Sequence, residues 1–246
     1  MKRPFVPDDD DIVQGLLNAY RMGAFPMSDS RTGMIGFYTA DPRGILPLHE
    51  HEGFHVPRSV EKVIRSGRFE IRADSAFEEV MRRCALPRCP GDEAWISDEL
   101  VSWYTALSRH GHAHSIEAWR RDPVNDRPTL VGGIYGVSLG SAFFGESMFC
   151  EPRRRLPDGH RDPLDGTDAS KVCLVMLVRH LAACGYTLFD TQMVTEHVRR
   201  FGGQEVSRAE FETRLDAVSD DPDRWIPFPH PALGYDPRPT HSPKAT

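Results

Sequence analysis

Two short segments put polar groups where apolar side chains would serve folding better. Phe143-Phe144-Gly145-Glu146-Ser147-Met148-Phe149 carries one carboxylate among aromatic residues, and Phe189-Asp190-Thr191-Gln192 closes an apolar run on an acid and an amide. A carboxylate leaves water at a large cost unless a partner compensates, so both acids need a reason to be there. Asp190 and Gln192 stand two apart at the end of a predicted strand and project to one side if that strand continues. A carboxylate beside an amide can orient it and can hold or accept a proton from an attacking group. Glu146 comes from a neighbouring strand, and Gly145 before it leaves room for a close approach. Taken singly, each acid reads more readily as a buried structural carboxylate that caps a helix or pairs with an arginine.

Leu174, Leu177 and Leu181 recur at i, i+3 and i+7 along a predicted helix over 168–184. With Ile134 and Phe189 they could line an apolar cavity the size of a leucine or phenylalanine side chain; the same spacing also makes plain core. His110, His112 and His114 alternate and would share one face of a strand, but no Asp or Cys partner stands near, and no metal site is expected. Cys84 and Cys89 have no second pair for zinc, and Cys150 has no local base that would make it a nucleophile. No glycine-rich phosphate loop is present. No cofactor is expected.

These residues must be placed by the elements around them. A first helix follows the Asp8–Asp11 run, with Ile12, Val13, Leu16, Leu17 and Tyr20 on one side and a stop at Gly23 and Pro26. Residues 27–53 read as irregular with short strands. Arg58, Lys62 and Arg65 fall at i, i+4 and i+7 of the next helix, a basic stripe suited either to RNA phosphates or simply to solvent. A strand over 69–73 precedes a helix opened by a Ser75/Glu78 capping box. Ser97 caps a further helix ending at Gly111. Strands over 112–120, 130–137 and 142–149 follow, the last two as a hairpin around 138–141. A polar loop over 151–167 carries Arg153-Arg154-Arg155, and Thr167 or Asp168 caps the mostly buried helix after it. A strand over 186–190, a helix from Thr195 and another opened by a Ser207/Glu210 capping box complete the order, and a Pro-rich tail follows residue 220. This order predicts a mixed α/β chain of the α+β type with a mainly antiparallel central sheet. A small N-terminal domain over 1–60, a larger domain over 61–220 and an irregular tail over 221–246 are expected.

The 246 residues suffice for one substantial core, and 39% hydrophobic with 27% charged residues fits a globular chain. No apolar run approaches the roughly 20 residues of a membrane helix, and no apolar signal core follows Met1-Lys2-Arg3-Pro4. Five cysteines without a dense framework suit a reducing cytoplasm. The net charge of −6 means that RNA contact must come from a local patch.

From about Ala19 to Leu215 the chain resembles the leucyl/phenylalanyl-tRNA–protein transferase family. The strongest blocks are Trp95-Ile96-Ser97, Gly111 to Glu117 (with Gly-His-Ala-His-Ser), Val131 to Phe149, Asp168-Ala169-Ser170-Lys171, and Asp190 to His197. The resemblance implies an acetyltransferase-like (GNAT-like) larger domain. It also implies a monomeric enzyme that moves Leu or Phe, and by pocket tolerance Met, from aminoacyl-tRNA to the α-amine of proteins beginning with Arg or Lys, marking them for degradation. It implies Asp190, Gln192 and Glu146 as the catalytic group. Tyr20, Trp95, Ile134, Leu174, Leu177, Leu181 and Phe189 would bind substrate, and Arg58, Lys62 and Arg65 would hold the tRNA. The chain departs from the family where Met27 replaces the usual Trp after Phe-Pro, where Phe37-Tyr38-Thr39-Ala40 replaces Trp-Trp-Ser-Pro, and in its longer 151–167 loop. Two other readings share some of these features: a coenzyme A-dependent N-acetyltransferase, whose Arg/Gln-x-x-Gly-x-Gly/Ala loop is missing here, and a non-catalytic tRNA-binding relative.

Overall fold

The computed structural model describes residues 8–87, 95–151 and 155–229. Met1-Lys2-Arg3-Pro4, Cys89, Arg153, Arg154 and the tail beyond residue 229 lie outside the described residues. Helix α1 (Asp9–Arg21) starts where Asp8 accepts the Asp11 N–H at 2.9 Å, and it buries Val13, Leu16, Leu17 and Tyr20. Strands β1 (Phe25–Ser28) and β2 (Ile35–Tyr38) form a separate hairpin. The chain then continues through β3 (Arg43–Ile45), α2 (Arg58–Arg65), β4 (Glu70–Ala73), α3 (Phe77–Cys84) and α4 (Asp98–Arg109). After these come β5 (Ala113–Arg121), β6 (Pro128–Leu139), β7 (Ala142–Cys150), α5 (Ala169–Cys184), β8 (Leu188–Gln192), α6 (Glu196–Arg199), β9 (Gln204–Val206) and α7 (Arg208–Asp216).

Seven strands make one sheet in the order β4-β5-β6-β7-β8-β3-β9. Among the described residues only the β7–β8 pair is parallel, because the long α5 crossover separates the two strands in sequence. This is the mixed α/β architecture with a mainly antiparallel sheet that the element order predicts. β3 comes from the first 60 residues, yet it pairs with β8 and β9 inside this sheet, so the strand lattice runs across the boundary drawn at residue 60.

Alternation along the strands feeds two cores. Phe144, Tyr135 and Val137 join α1, α3 and α4 on one face, while Phe143, Ile134 and Ile116 join α2 and α5 on the other. Each such side chain contributes about 1.5–3 kcal/mol when fully buried. Helix α5 is buried almost all round, which explains its nearly continuous apolar sequence.

Two helix starts differ from expectation. Ser75 and Glu78 form no capping box; instead the fully buried Glu117 on β5 accepts the Ala76 N–H at 2.7 Å and the Ser75 hydroxyl. A carboxylate from the neighbouring sheet thus takes the place of a local cap, which sequence spacing could not reveal. Neither Thr167 nor Asp168 caps α5 through its side chain; Asp168 adopts φ 71° and pairs with Lys171 at 2.6 Å. Ser97, Thr195 and Ser207 cap their helices as expected, although the Glu210 carboxylate turns to Arg214 rather than back to the cap.

Candidate functional site

Strands β7 and β8 pair only from Ala142–Phe144 against Leu188–Asp190, although they run on to Cys150 and Gln192. Beyond that short ladder they part, and a cavity of about 290 Å³ opens between them. Each strand carries a bulge at this point. Tyr135 pairs with Ser147 and Gly136 with Gly145, which leaves Glu146 as an extra residue on β7. Ile45 pairs with Asp190 and Gly44 with Gln192, which leaves Thr191 extra on β8. A bulge bends its strand and re-aims side chains, and here Glu146, Thr191 and Gln192 all line the cavity.

Glycines make these approaches possible. A Cβ on Gly145 would lie 2.7 Å from the Phe189 ring, so the missing side chain seats that ring in the cavity wall. A Cβ on Gly44 would lie 2.6 Å from the Met193 carbonyl carbon, so β8 can leave the sheet only across a glycine. Gln192 sits at φ 54°, and the strand's alternation ends there.

That ending separates two residues expected to share a side. Phe189 and Thr191 face the cavity by strand alternation, and Asp190 points the other way into the protein. Arg43 meets it there with two hydrogen bonds, Nε to Oδ1 at 2.8 Å and a terminal nitrogen to Oδ2 at 2.5 Å. The third guanidinium nitrogen donates to the Gly23 carbonyl, and the Phe25 and Phe211 rings flank the plane. Burial pushes the Asp190 carboxyl above its ordinary value, and Arg43 and the Gln192 N–H pull it back. An arginine does not give up its proton in a protein, so the buried pair stays neutral overall only with Asp190 ionised. Asp190 therefore orients Gln192 through the backbone, accepting its N–H at 2.8 Å. The Gln192 Nε2 and the Thr191 Oγ1 are both buried without a hydrogen-bond partner among the described residues.

Glu146 is partly buried, and its supports come from the helical face. Tyr20 donates to its Oε1 at 2.7 Å, and the Tyr20 and Tyr104 hydroxyls lie 2.5 Å apart. The Tyr104 hydroxyl bonds the Glu146 carboxylate as well as Tyr20. Burial pushes the Glu146 carboxyl up to about 7, against the Tyr20 hydrogen bond, and the nearby Asp190 charge adds to the rise. Burial and the Glu146 charge also hold the Tyr20 and Tyr104 phenols well above their ordinary value.

Of the residues expected to bind substrate, Trp95, Ile134, Leu174 and Phe189 line the cavity. Leu177 and Leu181 do not; they are packed in the core beneath α5. Leu181 is seven residues on from Leu174, about 10 Å along the helix axis, and only the first half of α5 reaches the opening. Tyr20 is fully buried and holds Glu146 rather than lining the cavity. Met27, Met148 and Met193 complete the apolar wall. Arg58, Lys62 and Arg65 do form an exposed stripe on α2, with Val60 buried beneath and Arg65 leaning on Glu61 at 3.6 Å. His110, His112 and His114 diverge: His110 lies 3.7 Å from Asp10, and His114 bonds Asp74 and the Gly111 carbonyl. Among the described residues no three His, Cys, Asp or Glu gather as metal ligands would.

Sequence reasoning missed Arg43 and Tyr104. A charge entering the apolar run Gly44-Ile45-Leu46 was the available sign of Arg43. Tyr104 is indistinguishable by spacing from its core neighbours on α4.

The sequence profile of the leucyl/phenylalanyl-tRNA protein transferases matches residues 47–216. A leucyl/phenylalanyl-tRNA–protein transferase of Paramagnetospirillum magneticum is 47% identical over 208 residues, spanning 83% of this chain and 88% of its own. One from Caulobacter vibrioides is 41% identical over 231 residues, spanning 93% and 95%. Among solved structures, FemX superposes with a TM-score of 0.46 at 11% identity, covering 80% of this chain and 67% of its own.

Proposed function

Because this chain belongs to the leucyl/phenylalanyl-tRNA protein transferase family, it is an aminoacyltransferase that moves an amino acid from tRNA to a protein, and we propose that the cavity between β7 and β8 is where the transfer occurs. The observation that carries this assignment is an apolar, amino-acid-sized cavity with Glu146 and Gln192 on its wall. About 290 Å³ lies at the small end of ligand sites. It suits a leucine, phenylalanine or methionine side chain, and the flexible Met27, Met148 and Met193 lining can adapt to all three. A pocket of this kind separates side chains differing by a methylene only weakly.

The aminoacyl ester is already activated. The acceptor amine attacks the ester carbonyl carbon, a C–N bond forms, the C–O bond to the ribose breaks, and the amine's proton ends on the released ribose hydroxyl. An N-terminal α-amine has a pKa of about 7.7–8.0 and is readily deprotonated near neutrality. The enzyme's task is then positioning. Gln192 holds the attacking amine, and Asp190, itself fixed by Arg43, is a positioning residue that sets the Gln192 backbone. Glu146 in its ionised form takes a charged hydrogen bond from the aminoacyl group or from the basic acceptor. Acceptors beginning with Arg or Lys, marked for degradation by the added residue, fit an anionic Glu146. Arg58, Lys62 and Arg65 on α2 meet tRNA phosphates. A monomer working in the cytoplasm is the simplest form of this enzyme, and no helix among the described residues is long and apolar enough to cross a membrane.

The test is to mix the protein with leucyl-tRNA and a peptide beginning with Arg, and to weigh the product. A gain of one leucine residue is expected. An unchanged peptide, with acetyl-coenzyme A consumed instead, overturns the assignment. Single-turnover transfer by Asp190→Ala and Gln192→Ala then tests the residues; near-normal rates in both remove them from the mechanism.

A further inference from the structure

The hairpin of β1 and β2 carries an aromatic surface that the transfer chemistry does not use. Phe25 and Met27 of β1 line the cavity. Their partners across the hairpin are Tyr38 and Gly36, respectively. Directly opposed residues of an antiparallel pair share a face, so Tyr38 stands on the cavity side. Its ring leans over Gly36: a Cβ there would meet the Tyr38 hydroxyl oxygen at 2.9 Å and the ring carbons at 3.0 and 3.1 Å. The ring is thus laid against the backbone beside Met27, on a seat that only glycine provides, and it stays 42% exposed. Met193, also on the cavity rim, is 61% exposed. An aromatic ring held down by a glycine and left open to solvent contributes little to folding. A flat, exposed face is what an unstacked base needs.

The donor must thread a single-stranded end into this cavity, since the amino acid is esterified to the last ribose of tRNA. The amino-acid-sized cavity takes the aminoacyl side chain, which leaves the nucleoside nearest to it at the cavity edge, beside the half-buried Trp95 and Met27. Tyr38 lies one strand further out than Phe25 and Met27, about 4.8 Å. That offset suits the next base along the strand rather than a second contact to the first. We propose that Tyr38, seated by Gly36, is the stacking platform for the base that precedes the terminal adenosine of the aminoacyl-tRNA. The inference rests on the transferase reading and adds a second nucleotide to its donor site.

The experiment compares two minimal donors on the intact protein, the leucyl ester of adenosine and the leucyl ester of cytidylyl-adenosine, with a peptide beginning with Arg as acceptor. The quantity read is the ratio of their KM values, which any loss of folded enzyme leaves untouched. In the unaltered protein the dinucleotide donor has the lower KM. Tyr38→Ala cancels that advantage, by roughly 5- to 100-fold on the scale of base–aromatic stacking, and Tyr38→Phe restores it. Gly36→Ala, which lifts the ring off its seat, moves the ratio the same way. An unchanged ratio in Tyr38→Ala, or an equal rise in KM for both donors, overturns the assignment. Failure of the unaltered protein to transfer leucine even from whole leucyl-tRNA overturns the transferase reading beneath it, whereas normal transfer with an unchanged ratio removes Tyr38 alone.

Discussion

Asp190 accepts the backbone N–H of Gln192 at 2.8 Å but does not line the cavity that Gln192 lines. The two residues are neighbours on β8, yet a bulge at Thr191 and the positive φ of Gln192 put them to different uses. One is an anchor, locked to Arg43 inside the protein. The other is delivered to the cavity wall.

Arg43→Ala should therefore damage the site through the fold. Removing one member of a buried, doubly bonded ion pair typically costs about 3–5 kcal/mol, because the other is left charged and unpaired. A urea titration should show that loss. Arg43→Lys keeps the charge but not the two-pronged geometry, so it should fall between Arg43→Ala and the unaltered protein in both stability and transfer rate.

Glu146 should give the enzyme a pH dependence in the neutral range. With its carboxyl pushed up to about 7 and its ionised form the working one, kcat/KM should fall about tenfold per pH unit below that value, in addition to the fall set by the acceptor amine below about 8. In Glu146→Gln the profile should lose this limb and stay low throughout. Stability should run in the opposite direction. The folded carboxyl binds its proton more tightly than the unfolded one, whose pKa is about 4.3. Its contribution is fully present below that pH and is lost as pH rises through about 7. Thermal melts across pH 4 to 8 should show a decline in the unaltered protein that Glu146→Gln lacks.

Tyr20→Phe removes the hydroxyl that stabilises the Glu146 anion. The acidic limb of the rate profile should move to higher pH, by about one unit for a lost hydrogen bond to a charge. Tyr104→Phe removes a hydroxyl that also bonds Glu146 but lowers its carboxyl less than Tyr20 does, and should move the limb the same way by a smaller amount. Equal rate profiles in all three proteins would show that the tyrosines serve packing alone.

Much of this site was legible in the residues. Glu146 and Gln192 announced themselves as polar groups in apolar runs, and Trp95, Ile134, Leu174 and Phe189 do line one cavity. What could not be read was the backbone that re-aims them. A bulge is a property of two strands in register, and neither Glu146 nor Thr191 carries a local mark of being the extra residue. The Ser75/Glu78 spacing failed for a related reason: Glu117, 42 positions from Ser75, reaches the helix start first. Periodicity likewise fixed the inward face of α5 but not how far along that face the cavity extends.

Gly44→Ala tests the exit of β8. Its new methyl would press on the Met193 backbone at 2.6 Å, where no rotamer change can relieve it. A loss of about 1–3 kcal/mol is expected, as for overpacking elsewhere, together with a fall in kcat as the Gln192–Met193 segment is displaced. Gly15→Ala, on α1 with nothing within 4 Å of its Cβ, is the control and should be neutral or slightly stabilising, since alanine favours helix.

Leu174 and Leu181 share a helix face but only the first lines the cavity, which makes them a matched pair for locating the donor pocket. Leu181→Ala should cost about 2–5 kcal/mol in a denaturant titration, as for a buried leucine, and leave the ratio of phenylalanine to leucine transfer unchanged in the protein that still folds. Leu174→Ala opens the wall from the cavity side, where solvent or a larger donor can fill the space. It should cost less stability and shift the ratio toward phenylalanine by roughly 10-fold or more, the worth of a methylene or two in such a pocket. A shift of equal size in Leu181→Ala would mean that the pocket extends deeper under α5 than the space between β7 and β8.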